Sequence, residues 1–447
     1  MGNHTIQTIF LTAVCLLLAA LPSRGQEEEE SRLELGVQLL GHGEVRNGGF
    51  NESMAEEEAD DNSHAGFMMS RTRVTADFLQ KGLSARVTAQ HAGVWGQKGQ
   101  GSLNLNEAWA RLSLKNGLFG QLGRQALSYD DERIIGPNDW AMAYMTHDVL
   151  KLGYEGNGHR LHAILAYNQN AENTYGGTYY ADGAQPYKTM HTVWYHYDWK
   201  AARLGASLLL MNIGLQAGEK NDTYNPAHTE YQQLIGAYMK YEPKRLKAEA
   251  SYYRQLGKNE LGQKMGAWMT SVSAQWQAAP AMALTGGFDY LSGDKYFAVP
   301  GQGQIGMVRH DKIRGFNPIY GSHHKFYGMM DFFYVSTYVN GFSPGLQNLY
   351  AGGSWKPTSK LDLKVTYHYM AMATKLAGMD MTLGHDIDIE GSYELMKEAK
   401  LMAGFSLMWG TDTMERLKRA SSGNNLSWGW VSLVVTPKKA KIKIGDK

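Results

Sequence analysis

The chain has 447 residues, with 44 basic and 43 acidic side chains, 51 glycines, 26 tyrosines, 11 prolines and one cysteine. Charged residues make up 19%, below the roughly 25% of ordinary soluble domains, yet mean hydropathy is −0.40. This combination excludes a helical membrane protein and a typical charged soluble enzyme, and the near-neutral balance excludes nucleic acid as a partner.

Residues 9–21 form one apolar run, followed by Pro22-Ser23-Arg24-Gly25 and then Gln26. The run is too short to span a membrane, and small residues at Ser23 and Gly25 suit cleavage before Gln26. Residues 1–25 therefore read as a signal peptide. Cys15 leaves with it, and Val14 before the cysteine argues against a lipoprotein. The mature chain then has no disulfide framework. No second apolar run of about 18 residues occurs, so no helix is expected to span a membrane.

Past residue 31 the pattern alternates with period two. Leu161, Ala163, Leu165 and Tyr167 share one face, with Arg160, His162 and Asn168 on the other. Leu361, Leu363, Val365, Tyr367 and Tyr369 oppose Asp362, Lys364, Thr366 and His368, and Ile387 and Ile389 oppose Asp386, Asp388 and Glu390. In a strand this gives one apolar and one polar face. Apolar faces ending in Tyr or Trp, with charge on the opposite face, are the pattern of an outer-membrane barrel.

The connections point the same way. Short polar turns are expected near 80–82, 115–117, 156–159, 199–201, 242–245, 278–280, 356–359 and 397–399. Longer stretches lie between them, at about 41–65, 96–102, 125–147, 169–187, 215–229, 257–264, 292–345, 373–383 and 411–425. Short inner turns alternating with long external loops give an all-β, antiparallel, up-and-down transmembrane β-barrel of about eighteen strands. It would occupy 26–437 in the outer membrane of a Gram-negative-type cell, leaving 438–447 as a basic C-terminal tail. The turn near Pro357 sets the parity and makes 327–339 part of the seventh external loop.

Alternation places Arg71, Arg73, Arg86, Arg111, Lys151, Arg160, Arg203, Lys240 and Lys247 on the lumen face. Asp77, Glu107, Glu155, Glu249, Asp362, Asp388, Glu390 and Glu394 share it. A cation facing lipid at mid-depth would cost about 2–4 kcal/mol, which constrains the register. Rings of Arg and Lys attract anions. The same mixed charge also serves the folding and solvation of any water-filled lumen, so anion preference is one of two readings.

The most distinctive segment is 123–140, which opens Gly123-Arg124-Gln125, continues through Asp130-Asp131-Glu132-Arg133 and closes on Trp140. A strand end of this kind followed by an acidic, Trp-containing loop resembles the alginate-export outer-membrane family. The stretch from Arg314 through Phe316, Tyr320, His323, His324 and Tyr327 to Phe332 is similar to the late-loop pattern of that family. The resemblance covers most of the mature chain and implies an eighteen-stranded barrel passing an anionic polysaccharide or similar solute through an arginine-lined conduit. It places Arg124, Asp130, Asp131 and Arg133 at the constriction. The acidic strand at 385–395 and the basic tail depart from that pattern.

The remaining clusters read blandly. Glu52, Glu56, Glu57, Glu58, Asp60 and Asp61 lack EF-hand spacing and read as a solvated loop. His323-His324 lacks the further ligands of a metal centre. No nucleophile elbow, phosphate loop or dinucleotide fingerprint occurs, so neither catalysis nor a cofactor is expected. The expected function is a passive channel for anionic oligo- or polysaccharide or small anions, in contact with outer-membrane lipids. The rivals are a nutrient-uptake porin and a plugged structural or adhesive barrel.

Overall fold

The strands form where the period-two pattern runs. The computed structural model describes residues 31–47, 64–99, 101–140, 142, 144–169, 172, 180, 187–295, 312–333, 343–418 and 426–444. The first strands are β1 (Ser31–Asn47), β2 (His64–Gln80), β3 (Leu83–Val94), β4 (Ser102–Ser113), β5 (Leu118–Gln125) and β6 (His147–Gly156). Next come β7 (His159–Tyr167), β8 (Thr189–Trp199), β9 (Leu204–Ala217), β10 (His228–Tyr241), β11 (Leu246–Gly257) and β12 (Trp268–Ala279). The last are β13 (Met282–Leu291), β14 (Leu346–Trp355), β15 (Leu361–Ala371), β16 (Thr382–Met396), β17 (Ala399–Gly410), β18 (Leu426–Val435) and β19 (Ala440–Ile444). One short helix, α1 (Asp412–Lys418), sits in the ninth external loop.

From β1 to β18 each strand pairs antiparallel with the next, and β1 pairs with both β2 and β18, from Leu39 opposite Val435 to Asn47 opposite Ser427. Eighteen strands thus close on themselves. Closure is what hydrocarbon demands, because an open edge would leave backbone N–H and C=O groups unpaired. All eight short turns fall near their expected places, the β8–β9 turn running on to Arg203. Between β6 and β7 only Asn157 and Gly158 remain, at φ 53° and 84°, the left-handed pair that a two-residue hairpin with native twist requires.

Residues 327–333 carry no strand, in keeping with a place in the seventh loop; 334–339 lie outside the described residues. So do residues 1–25, expected as a signal peptide, and the acidic run of the first loop. The basic tail is more than a tail. Its β19 pairs with the inner end of β1, Ser31 opposite Ile444 to Leu35 opposite Ala440, where β18 has already ended. Lys439 Nζ lies 2.7 Å from Asp77 and 3.7 Å from Glu34, which holds the segment against the wall.

Outward side chains are apolar and exposed, among them Val74, Leu122, Leu208, Ile235, Val272, Leu349, Val365 and Val431. Trp199, Tyr241, Trp276, Trp355 and Tyr393 ring the inner end, while Tyr167, Tyr231, Trp268 and Trp409 lie toward the outer end. These are the two aromatic girdles of a membrane barrel.

The inside differs from a uniformly polar lumen. Toward the outer end, inward positions carry Ile164, Met190, Trp194, Met211, Leu234, Tyr253, Met269, Met370 and Met408, all buried. They pack against Leu127, Ile134 and Ile135 of the third loop (126–146) and Phe316, Tyr320, Tyr327, Phe332 and Phe333 of the seventh loop (292–345). The hydrophobic core therefore lies inside the barrel. Burying a side chain of this size contributes about 1.5–3 kcal/mol, enough to draw two long loops into the lumen.

Candidate pore constriction and vestibule

The third loop crosses the lumen from wall to wall. Trp194 of β8 donates its indole N–H to Asp130 (3.0 Å), and Tyr129 bonds His162 of β7 (3.0 Å). On another side, Asp139 accepts Arg71 and Arg73 of β2 at 2.8 Å each. Trp140 reaches the β1–β18 seam, edge-on to His42 and Trp430. Asp130, Glu132 and Asn138 hold φ of 57°, 68° and 46°, sharp left-handed corners that let so short a segment fold back on itself.

The seventh loop packs alongside. Ile135 and Tyr320 bridge in parallel, and Ser322 N–H donates to the Glu132 carbonyl (2.9 Å). Lys325 pairs with Glu132, and His324 stacks on Trp140 at 3.8 Å between centroids while bonding Asp331. Asn317 exchanges two hydrogen bonds with Gln255 of β11.

Arg133 joins loops and wall. Its side chain is 4% exposed, lies 3.1 Å from both Asp131 and Asp289, donates to Tyr327 Oη (3.1 Å) and stacks 4.0 Å over Phe326. Asp289 is the middle of a polar ladder across the inner wall. Ser271 of β12 and Asn348 of β14 donate to it, His368 of β15 bonds Asn348, and Asp388 of β16 accepts Ser406 of β17. Asp388 also accepts the Met329 N–H of the seventh loop (3.0 Å). The acidic strand at 385–395 thus works as a docking strip for that loop.

Beneath the two loops lies a cavity of about 890 Å³ facing the inner ends of the strands. Asp130, Asp131 and Arg133 line it, as do Arg160, Lys240 and Lys247 from the expected lumen face, together with Glu249, Lys364 and Glu390. Burial pushes the Asp130 carboxyl above its ordinary range, against hydrogen bonds from Ser207 and Trp194.

The other candidate residues sit elsewhere. Arg71, Arg73, Arg86, Arg111 and Lys151 project inside the barrel but away from this cavity. Arg71 and Arg73 are tied to Asp139, Arg86 to Asp77 and Glu107, and Arg111 to Glu155 with its guanidinium over Phe119. Lys151 stands opposite Gln121 and Ile164.

Two expectations are corrected. Arg203 is not on the lumen wall: it lies in the β8–β9 turn at φ 53°, exposed. Arg124 is not at the constriction. Phe119, Gln121 and Gln125 of β5 are buried inward, so alternation turns Arg124 outward with Leu118 and Leu122. There it forms two parallel bonds of 2.8 Å with Asp148, its cross-strand neighbour. Asp388 stands on the lumen face as alternation placed it, whereas Asp289, Tyr327, Trp140 and Ser322 were missed as site residues. Asp289 had a local signal, standing between Phe288 and Tyr290 as an inward acid; the others act through contacts that no local spacing reveals.

A closed eighteen-strand barrel with lipid girdles and loops folded into its lumen is an outer-membrane channel of porin type, and the protein is located in the outer membrane. Residues 54–427 match the alginate export family, and the chain belongs to it. No curated protein matches the chain by sequence. Among solved structures it is similar to Pseudomonas aeruginosa OccK11 (OpdR), with TM-score 0.58 and 12% identity, over 94% of this chain and 100% of that one. Acinetobacter baumannii OccAB4 is similar at TM-score 0.59 and 9% identity over 93% and 99% of the two chains. Pseudomonas aeruginosa OccK9 (OpdG) is similar at 0.57 and 14%, over 91% and 98%. At these identities the likeness is one of fold.

Proposed function

We propose that the channel passes anionic solutes by diffusion and that the charge of its inner vestibule selects them. The observation that carries this reading is an asymmetry of exposure. The cationic side chains of Arg160, Lys240, Lys247 and Lys364 are 37–57% exposed, whereas the carboxylates of Asp131, Glu132, Glu249, Asp289, Asp388 and Glu390 are 1–33% exposed. Asp198 and Glu242, the exposed partners of Arg160 and Lys240, do not line the cavity. A solute in the vestibule therefore meets the more exposed ammonium and guanidinium groups first and the less exposed carboxylates second. Fixed charge in a narrow aqueous space with low-dielectric walls focuses its field on the passing ion.

The family description adds a cargo class, acidic oligo- or polysaccharide, whose spaced carboxylates suit a row of Lys and Arg ends. A passive pore takes its direction of net flux from the gradient. The test is the reversal potential of single channels under a salt gradient, followed by titration with uronic-acid oligomers. Anion preference with oligomer block supports the reading. Cation preference overturns it, and absence of conductance would mean that the two loops close the lumen.

A further inference from the structure

The outward face of the barrel carries polar side chains side by side near the outer ends of three neighbouring strands. His191 of β8, Asn212 of β9 and Gln233 of β10 stand opposite one another in a single cross-strand row near the outer ends of their strands. Their parity is that of the exposed Val193, Leu210 and Ile235, so the row faces lipid. Gln233 donates to Asn212 at 2.8 Å. Three polar side chains in succession mark where the hydrocarbon ends on this side.

Arg254 of β11 lies just below that level. It is exposed, has the outward parity of Tyr252, and stands opposite Ile235 and Trp268. No carboxylate pairs with it among the described residues. The row of Gln233 is two residues further out, about 7 Å along the strand, a distance that an arginine side chain spans by reaching up to polar surroundings. Beside it, Tyr252, Trp268 and Tyr290 stack across β11, β12 and β13, with centroids 6.1 and 4.8 Å apart. Arg124, the other outward arginine near this level, is already neutralised by two bonds to Asp148.

We infer that Arg254, with the aromatic platform of Tyr252, Trp268 and Tyr290, binds the phosphorylated headgroup of an outer-leaflet lipid. A cation on the lipid face is tolerated near the interface and not at mid-depth, and a planar guanidinium takes a phosphate through two parallel hydrogen bonds. The stacked rings give the acyl chains a flat surface beneath that contact. The patch is continuous with the lipid-facing wall, so an adjacent lipid reaches it without any rearrangement.

Native mass spectrometry of the full-length protein tests this, with a bis-phosphorylated glycolipid, its enzymatically dephosphorylated form, and inorganic phosphate as competitor. The wild type is expected to retain the phosphorylated lipid about tenfold better than Arg254→Gln, the size of one charge-assisted hydrogen bond. Arg254→Lys should keep part of that retention, and Arg124→Gln should match the wild type. Heat-modifiable gel migration confirms that each variant is folded. Equal retention of the two lipid forms, or equal retention by wild type and Arg254→Gln, would overturn the inference. Displacement by inorganic phosphate alone would make this a free-anion site and overturn the lipid assignment.

Discussion

The guanidinium of Arg133, carried by the third loop, lies 3.1 Å from the carboxylate of Asp289 on β13, and both side chains are almost wholly buried. The pair ties the loop that crosses the lumen to the wall on its far side. Removing one partner of such a pair leaves an uncompensated buried charge, at about 3–5 kcal/mol. Arg133→Ala is therefore expected to release the loop, raise single-channel conductance and expose the 126–146 segment to limited proteolysis. Unchanged conductance and cleavage would show that the apolar contacts of Ile134 and Ile135 hold the loop by themselves.

Arg124→Ala should leave ion selectivity unchanged, because the side chain faces away from the lumen and is paired with Asp148. Reversal potentials of wild type and variant under one salt gradient should coincide. A shift toward cation preference would contradict the outward placement.

Gly321 sits against the backbone of the neighbouring loop. A Cβ built there would meet the Arg133 carbonyl oxygen at 2.3 Å, and the backbone cannot swing away as a flexible side chain could. Gly321→Ala should separate the third and seventh loops without touching any charge. Conductance is expected to rise with ion selectivity unaltered, and hydrogen exchange should quicken in 312–333.

Acidification should loosen the seventh loop. Burial pushes the His323 imidazole down from 6.5 to about 4, so the docked loop holds a neutral ring. As pH falls from 6.5 toward 4, the undocked state takes up a proton that the docked state refuses, and docking weakens. Glu132, held below its ordinary range by Lys325 and Ser128 against the cost of burial, loses its contribution at still lower pH. Asp130, raised by burial, works in the opposite sense, but only near the carboxylate range. Proteolysis of the seventh loop at pH 7 and pH 5 should show faster cleavage at pH 5, and His323→Gln should flatten that difference. Cleavage that does not change with pH would remove His323 from the account.

Much of the wall was legible in the sequence because its signals are local. Asn157-Gly158 and Lys81-Gly82 mark turns by their own chemistry, and Leu361 through Tyr369 alternate whatever lies elsewhere in the chain. Arg124 was misplaced because a resemblance identifies a motif without giving its face; only the inward burial of Phe119, Gln121 and Gln125 decides the parity of β5. Arg203 was misplaced by the length of one turn. The apolar inward methionines were invisible for another reason. Met190, Met211, Met269, Met370 and Met408 look like interruptions of a polar lumen face until the loops that cover them are in place.

By itself, then, the sequence determined a closed antiparallel barrel of about eighteen strands, with short turns at one end and long loops at the other. Alternation and turn chemistry are properties of neighbouring residues, and hydrocarbon leaves closure as the only solution for the backbone. Only the tertiary structure decided that the third and seventh loops enter the lumen, that Asp289 receives Arg133, and that the vestibule's lysines and Arg160 are more exposed than the carboxylates beside them. Those contacts join residues far apart in the chain. Their energy comes from desolvation and pairing, which exist only once the wall has closed around the loops.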